Sequence, residues 1–123
     1  MDVGCGTGLS GAELRAAGCV GDVVGVDISE QSLSNARAKT YILVASEAGQ
    51  LGAAAGSAPN TLPVTNRWER VEHVYSRTIC ADVTKTEGVA ALRTAEFDGL
   101  VCVGSIYYMK HAYETVFAEW RRV

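Results

Sequence analysis

The sequence predicts an α/β domain in which parallel β-strands alternate with helices. Short β-branched apolar runs alternate with stretches of helix-favouring residues along most of the chain. A glycine-rich turn, residues 2–8, lies between the first apolar run and the first helix. Strand, turn, helix, strand and helix in this order form a βαβα unit, which winds right-handed around a parallel sheet. At 123 residues the chain is one domain at most.

The glycine turn carries Gly4, Gly6 and Gly8 at every second position. Glycine lets the backbone turn sharply, and because it has no Cβ it lets a ligand approach the main chain. A helix is predicted over residues 9–17, with Gly18 as its C-terminal stop. The turn therefore predicts a nucleotide-type ligand at the end of the first strand.

The second strand is predicted over residues 22–27 and ends in an acid, Asp27. Ser29 can cap the next helix, which extends to about residue 39, and Glu30 suits the positive first turn of that helix. These residues complete the βαβα unit and place a carboxylate at the edge of the sheet where the glycine turn lies.

The alternation is interrupted over residues 41–73. This segment is rich in Ala, Gly, Ser and Pro and has little periodicity, as in the run from Ala53 to Pro59. Unstructured connections longer than about 12–15 residues are uncommon within compact domains. The sequence therefore predicts a flexible insertion at 41–73 within a single domain spanning residues 1–123.

The regular pattern resumes after the insertion. A third strand is predicted over residues 74–81, a helix over residues 85–93 and a fourth, strongly apolar strand over residues 97–103. A last helix carries apolar side chains at helical spacing, which indicates ordinary core packing. These side chains are Met109, Tyr113, Val116, Phe117 and Trp120.

Composition favours a small cytoplasmic protein without a nucleic-acid or membrane signal. The net charge is −3, and acids and bases are interspersed, so the chain has no basic footprint. The four cysteines have no CxxC spacing, which favours free thiols in a reducing compartment and predicts no metal site. No apolar run approaches the roughly 20 residues of a membrane span, and the N-terminus does not read as a signal peptide.

The stretch Asp2-Val3-Gly4-Cys5-Gly6-Thr7-Gly8 resembles motif I of the class I S-adenosylmethionine (SAM) dependent methyltransferases, an acid followed by alternating glycines. The resemblance implies SAM as cofactor, with its methionine portion against the turn, where Cys5 also lies. Asp2 would then favour the ammonium group of SAM, directly or through water. In methyl transfer from SAM the protein mainly aligns the cofactor and the methyl acceptor, and it need not supply a strong acid or a metal.

Further matches extend the resemblance to the next strand ends. Asp27 falls where the family keeps an acid that accepts both ribose hydroxyls, with Ile28 beside it. Asp82 resembles the residue that accepts a hydrogen bond from the adenine amino group, with Val83 against the ring. An acid at this position can also be a simple helix cap or turn former, so both interpretations of Asp82 stay open.

Phe97-Asp98 and the following Gly104-Ser105 resemble motif IV and the loop after it, which in the family lies beside the methyl group. The resemblance therefore implies that Val103 contacts the cofactor and that Tyr107 and Tyr108 are candidates for contacting the cofactor or acceptor. His111 is a candidate general base, although a lone His at a helix start is more often at the surface. No residue is assigned firmly to catalysis.

Two alternatives remain beside the methyltransferase interpretation. Residues 6–11 read literally as GxGxxG, with Asp27 about 20 residues further on, as in an NAD(P)-binding oxidoreductase. Asp2 opposes this reading because it would lie near a bound pyrophosphate, and Asp82 has no place in the NAD pattern. The second alternative is a non-catalytic methyltransferase-like remnant.

The resemblance covers about the first half of the family domain. It implies a partial Rossmann-like fold with the parallel strand order 3-2-1-4, a long insertion before strand three, and strands five to seven missing. An apolar edge at strand four would invite self-association, and we expect little or no activity from such a chain alone. The methyl acceptor is expected to be a small molecule. Residues 103–105 are similar to the small-molecule type that includes the Williams-Beuren region methyltransferase-like group.

Overall fold

The described part of the chain forms two β-sheets with helices around them. A computed structural model describes residues 1–45, 51–54, 68–90, 92 and 96–121. The elements in chain order are β1 (Asp2–Val3), α1 (Leu9–Ala16), β2 (Val24–Asp27), α2 (Glu30–Ala38), β3 (Thr40–Ala45), β4 (Leu51–Ala54), β5 (Trp68–His73), β6 (Arg77–Cys80), α3 (Thr86–Ala90), a 3₁₀ helix (Ser105–Ala112) and α4 (Tyr113–Trp120).

The first sheet is parallel and has the order β1-β2-β6. β2 lies in the middle, with Asp2 opposite Gly25 on one side and Arg77 opposite Val24 on the other. The predicted α/β class with a small parallel sheet is thereby confirmed. All three strands end at one edge, which is where open α/β sheets bind their ligands.

The predicted fourth strand is reduced to an isolated parallel bridge between Asp2 and Val101. Two backbone bonds make this bridge: the amide of Val3 donates to the carbonyl of Val101 at 2.8 Å, and the amide of Val101 donates to Met1 at 2.8 Å. β1 is only two residues long, so it offers no further partners to the segment. The structure thus differs from the prediction of a regular strand over residues 97–103.

The helices flanking the glycine turn and β2 follow the predicted local signals. α1 ends at Ala16, and Gly18 takes the left-handed conformation expected of a helix stop, with φ 95°. Ser29 caps α2, because its side chain accepts a hydrogen bond from the amide of Ser32 at 3.2 Å.

The insertion differs from the predicted flexible loop where it is described. β3, β4 and β5 form an antiparallel sheet in the order β4-β3-β5. β3 begins directly after α2, and Thr40 pairs with His73, so the two ends of the insertion meet at the base of this sheet. The β-branched and aromatic residues of β3 favour strand formation, a signal that the Ala- and Gly-rich stretch downstream obscured. The remaining part of the predicted insertion, residues 46–50 and 55–67, lies outside the described residues.

The parallel sheet has an apolar core on each of its two faces. One face packs against the 3₁₀ helix and α4, which together replace the single last helix predicted from the sequence. The other face packs against α1, α2 and the start of β3. The first core contains Val3, Val24, Val26, Val83, Leu92, Met109 and Val116, and the second contains Cys5, Val23, Leu33, Ala36, Tyr41, Val74 and Tyr75. Within the described part of the chain, no helix has both the length and the apolar character needed to cross a bilayer.

Candidate functional site

A cavity of about 590 Å³ opens at the carboxyl ends of the parallel strands. Its volume falls in the range of about 300–1,000 Å³ that is typical of small-molecule sites. Most of the lining is apolar, with a few convergent polar groups. The lining residues are Gly4, Val26, Asp27, Ile28, Ala81, Asp82, Val83, Thr84, Lys85, Ser105, Tyr108, Met109 and His111.

The three glycines of the turn all have positive φ, at 67° for Gly4, 53° for Gly6 and 89° for Gly8. Their missing Cβ atoms leave room for different neighbours. A Cβ on Gly4 would overlap the side chain of Ser105, and one on Gly8 would come within 3.1 Å of the Tyr75 ring. A Cβ on Gly6 would meet no atom within 4 Å. Gly6 therefore faces open space without lining the cavity, Gly4 lines the cavity and makes room for Ser105, and Gly8 makes room for Tyr75.

Asp27 is held at the cavity by two backbone amides. One carboxylate oxygen accepts from the amide of Gly6 at 2.9 Å, and the other accepts from the amide of Ser29 at 2.8 Å. A carboxylate has about four acceptor positions, so each oxygen keeps one for a ligand. The arrangement joins the end of β2 to the glycine turn and presents two fixed acceptors, one for each hydroxyl that a vicinal diol can donate.

Asp82 also lines the cavity, but its carboxylate is mostly engaged within its own turn. One oxygen accepts from the amide of Thr84 at 3.0 Å and from the Thr84 hydroxyl at 2.6 Å, and the other lies 3.4 Å from the ammonium of Lys85. The Thr84 hydroxyl, followed by the Thr84 amide and then Lys85, lowers the pKa of Asp82 below its ordinary value of 3.8. The turn-forming role is therefore present, and the oxygen beside Lys85 stays available to a donor. Val83 is 5% exposed and contributes an apolar wall.

Asp2 lies behind the glycine turn and not on the cavity wall. Its side chain is fully buried, and one oxygen accepts from the hydroxyls of Ser10 and Tyr75, each at 2.6 Å. The other oxygen, Oδ1, has no hydrogen-bond partner among the described residues. Burial of an acceptor without a donor lowers the stability of the fold, and such atoms are rare in native structures. The predicted contact between Asp2 and the ammonium of SAM remains a prediction.

Tyr75 is the residue of this region that sequence reasoning missed. Burial, and then the neighbouring Asp2, raise the pKa of its hydroxyl well above the ordinary value, so the proton stays in place to be donated. The sequence signal that could have pointed to Tyr75 is indirect. Gly8, Gly11 and Gly25 all lack the Cβ that would run into its ring, but they lie in three different elements of the chain.

Cys5 packs beneath the turn and is 4% exposed. Burial, together with the negative environment of Asp2 and Asp27, raises the pKa of its thiol to about 12. The thiol therefore stays protonated and acts as a small apolar group, and Cys5 does not line the cavity.

The 3₁₀ helix supplies the wall opposite Asp27. Ser105, Tyr108, Met109 and His111 line the cavity, and the Ser105 hydroxyl donates to the carbonyl of Val3 at 3.0 Å, which fastens this helix to β1. Tyr108 is 84% exposed, so its ring stands at the cavity mouth. The two predicted residues Val103 and Tyr107 are exposed and do not line the cavity.

These residues fit the cofactor that the resemblance implies, on three observations of the chain itself. Gly6 leaves open space at the turn, Asp27 offers two fixed acceptors, and Asp2 Oδ1 is a buried acceptor without a donor. A ligand with a diol would satisfy Asp27, and a cationic end would suit the negative charge of the turn, whereas a pyrophosphate would add negative charge beside Asp2 and Asp27.

Comparison with known proteins agrees with the geometry. Residues 1–57 match the model of the family described as methyltransferase domain. Searches of curated proteins and of solved structures gave no match to the chain. The matched segment contains the glycine turn, Asp27 and Ile28, so this N-terminal part of the chain is similar to a methyltransferase domain.

Proposed function

We propose that the chain binds SAM in the cavity at the carboxyl ends of β1, β2 and β6 and contributes to methyl transfer to a small-molecule acceptor. The observation that carries the proposal is the carboxylate of Asp27, which two backbone amides hold with one acceptor position left on each oxygen. The family match over residues 1–57 supports the same chemistry. The proposal also includes several expectations from the sequence. These are a single partial domain over residues 1–123 with its insertion, the strand order 3-2-1-4, a similarity to the Williams-Beuren type and a cytoplasmic location.

In this proposal SAM supplies an activated methyl group on its sulfonium, and the chain binds and orients it. Asp27 accepts the two ribose hydroxyls, while Ile28 covers the ribose with apolar surface. Asp82 accepts from the adenine amino group through the oxygen that faces Lys85, and Val83 packs against the adenine ring. The glycine turn, from which Gly4 lines the cavity, admits the methionine portion to the backbone. Such alignment can supply much of the rate enhancement when the reacting atoms are held about 3–3.5 Å apart.

The acceptor is proposed to enter beside the 3₁₀ helix. Met109 and the ring of Tyr108 give this side of the cavity an apolar character, and His111 is the group there that can act as a general base towards an acceptor. A cavity of about 590 Å³ that also holds the cofactor leaves room for a small acceptor.

Calorimetric titration with S-adenosylhomocysteine tests the proposal. Asp27→Ala removes both acceptors, and each hydrogen bond to a charged group is worth about 1.5–3 kcal/mol, so we expect at least about 100-fold weaker binding. Asp22→Asn is the matched control, because Asp22 is an exposed acid near the opposite end of β2, and it should leave the isotherm unchanged. Circular dichroism should confirm that both variants are folded.

Titration of the parent chain with NAD⁺ separates the alternatives. Binding of S-adenosylhomocysteine but not of NAD⁺ supports the proposal. Binding of NAD⁺ alone would point to the oxidoreductase alternative, and binding of neither would point to a remnant without cofactor. An unchanged isotherm for Asp27→Ala would refute the assignment of the ribose-binding acid.

A further inference from the structure

Tyr75 occupies a slot that three glycines make. A Cβ added at Gly8 or Gly25 would lie 3.1 Å from the Tyr75 ring, and one added at Gly11 would lie 2.7 Å from its Cε1 and closer still to its hydroxyl. The side chain is 5% exposed. The ring therefore fits between the glycine turn, α1 and β2 because each of these elements has a glycine at the contact.

The hydroxyl of Tyr75 makes two hydrogen bonds in this slot. It donates to Asp2 Oδ2 at 2.6 Å and accepts from the amide of Gly11 at 3.2 Å. Gly8 is the N-cap of α1 and has no side chain with which to cap it, and Gly11 is the third residue of the helix. In an ordinary cap, a Ser or Asp side chain at the N-cap accepts from that third amide. Tyr75 thus caps α1 from a distant part of the chain.

The pairing at the base of the insertion fixes the backbone position of Tyr75. Thr40 pairs with His73 at the base of the antiparallel sheet, and the amide of Val74 donates to the carbonyl of Lys39 at 3.0 Å. Tyr75 follows directly, before β6 starts at Arg77. The backbone around Tyr75 is therefore held by the same pairing that closes the insertion.

We propose that Tyr75 is a positioning residue that holds the glycine turn in its cofactor-binding conformation and so makes cofactor affinity depend on the base of the inserted sheet. The inference rests on the proposed function. Tyr75 acts through Asp2 and through the first turn of α1. Removal of the hydroxyl leaves the buried amide of Gly11 without its acceptor and Asp2 Oδ2 with only the Ser10 hydroxyl as donor.

The test compares Tyr75→Phe with Tyr41→Phe. Tyr41 is a matched control, because it is 7% exposed in the same core, and its hydroxyl donates to Glu72 at 3.2 Å, away from the glycine turn. Both variants keep the aromatic ring and lose one hydroxyl. We expect the dissociation constant for S-adenosylhomocysteine to rise about tenfold in Tyr75→Phe and to stay within about twofold of the parent in Tyr41→Phe.

A second readout needs no cofactor. Hydrogen exchange at the amide of Gly11, followed by NMR, should be at least about tenfold faster in Tyr75→Phe than in the parent and unchanged in Tyr41→Phe, because among the described residues Tyr75 is the one that accepts from that amide. If Tyr75 only filled the slot with its ring, Tyr75→Phe would leave this exchange rate unchanged, because phenylalanine keeps the ring.

The outcomes separate the inference from the proposed function. Failure of the parent chain to bind S-adenosylhomocysteine would overturn the proposed function, and the effect on cofactor affinity with it. If the parent binds and Tyr75→Phe binds equally tightly, the inference is overturned while the function stands. Equal weakening in both tyrosine variants would also overturn it, because the effect would then follow general stability. Weakening in Tyr75→Phe alone, with faster exchange at Gly11, supports it.

Discussion

Replacement of Gly11 by alanine sets two physical effects against each other. Gly11 lies inside α1, where alanine is favoured over glycine by about 1 kcal/mol. The new Cβ would however lie 2.7 Å from Cε1 of Tyr75, and the ring cannot move away freely because Gly8 and Gly25 border it on other sides. Overpacking of this kind costs about 1–3 kcal/mol, and displacement of the Tyr75 hydroxyl adds about 1 kcal/mol for its hydrogen bonds. We therefore expect Gly11→Ala to destabilise the fold by about 1–3 kcal/mol.

Urea denaturation followed by circular dichroism measures this difference. Gly21→Ala is the control, because a Cβ at Gly21 would meet no atom within 4 Å and its φ is not in the left-handed region. The control should change the free energy of unfolding by no more than about 0.5 kcal/mol. If Gly11→Ala were as stable as the parent or more stable, the slot for Tyr75 would not be as tight as the structure indicates, and the reasoning would be refuted.

Two further predictions follow from pKa values. Thr84→Val removes the hydroxyl that donates to Asp82, so the pKa of Asp82, which lies below 3.8 in the parent, should rise towards that value in an NMR titration. An unchanged pKa would mean that Lys85 or the Thr84 amide dominates. The pKa of Cys5 is raised from 9.0 to about 12, so the folded state holds a proton that the unfolded state loses in this range. Stability should therefore fall as the pH rises from about 9 towards 12, and Cys5→Ala should flatten that dependence in denaturation curves at several pH values.

Local signals in the sequence were enough to predict the first half of the parallel sheet. The glycine turn, the acid at the end of β2 and the Ser29 cap each depend on residues within a few positions of one another. Asp27 illustrates this, because its position directly after an apolar strand already places it at the ligand-binding edge. The structure adds that its two oxygens accept from Gly6 and Ser29.

Contacts between distant parts of the chain could not be predicted in the same way. Tyr75 meets Asp2 across 73 positions, and Ser105 meets Val3 across 102. Tyr75 lies in no motif, and the motifs that contain Asp2, Val3 and Ser105 do not indicate these pairings, since each contact exists only because the sheet brings the strand ends together. The antiparallel sheet was missed for a different reason, because its strands pair with one another and not with the core sheet. The residues of these strands therefore lack the alternation of apolar and polar side chains that packing against the main core would impose.

The environment of Asp2 explains why the turn and the insertion share one core. A buried carboxyl group is unfavourable unless donors surround it, and the turn itself offers Asp2 no backbone amide, since those of Gly4 and Cys5 donate to Val26. Donors must therefore come from elsewhere, and the structure places the hydroxyl of Tyr75 there by fixing the end of the insertion beside α1. One oxygen of Asp2 is thereby satisfied, and the other remains without a donor among the described residues. The end of the inserted sheet and the glycine turn are thus joined by the same contact between Tyr75 and Asp2.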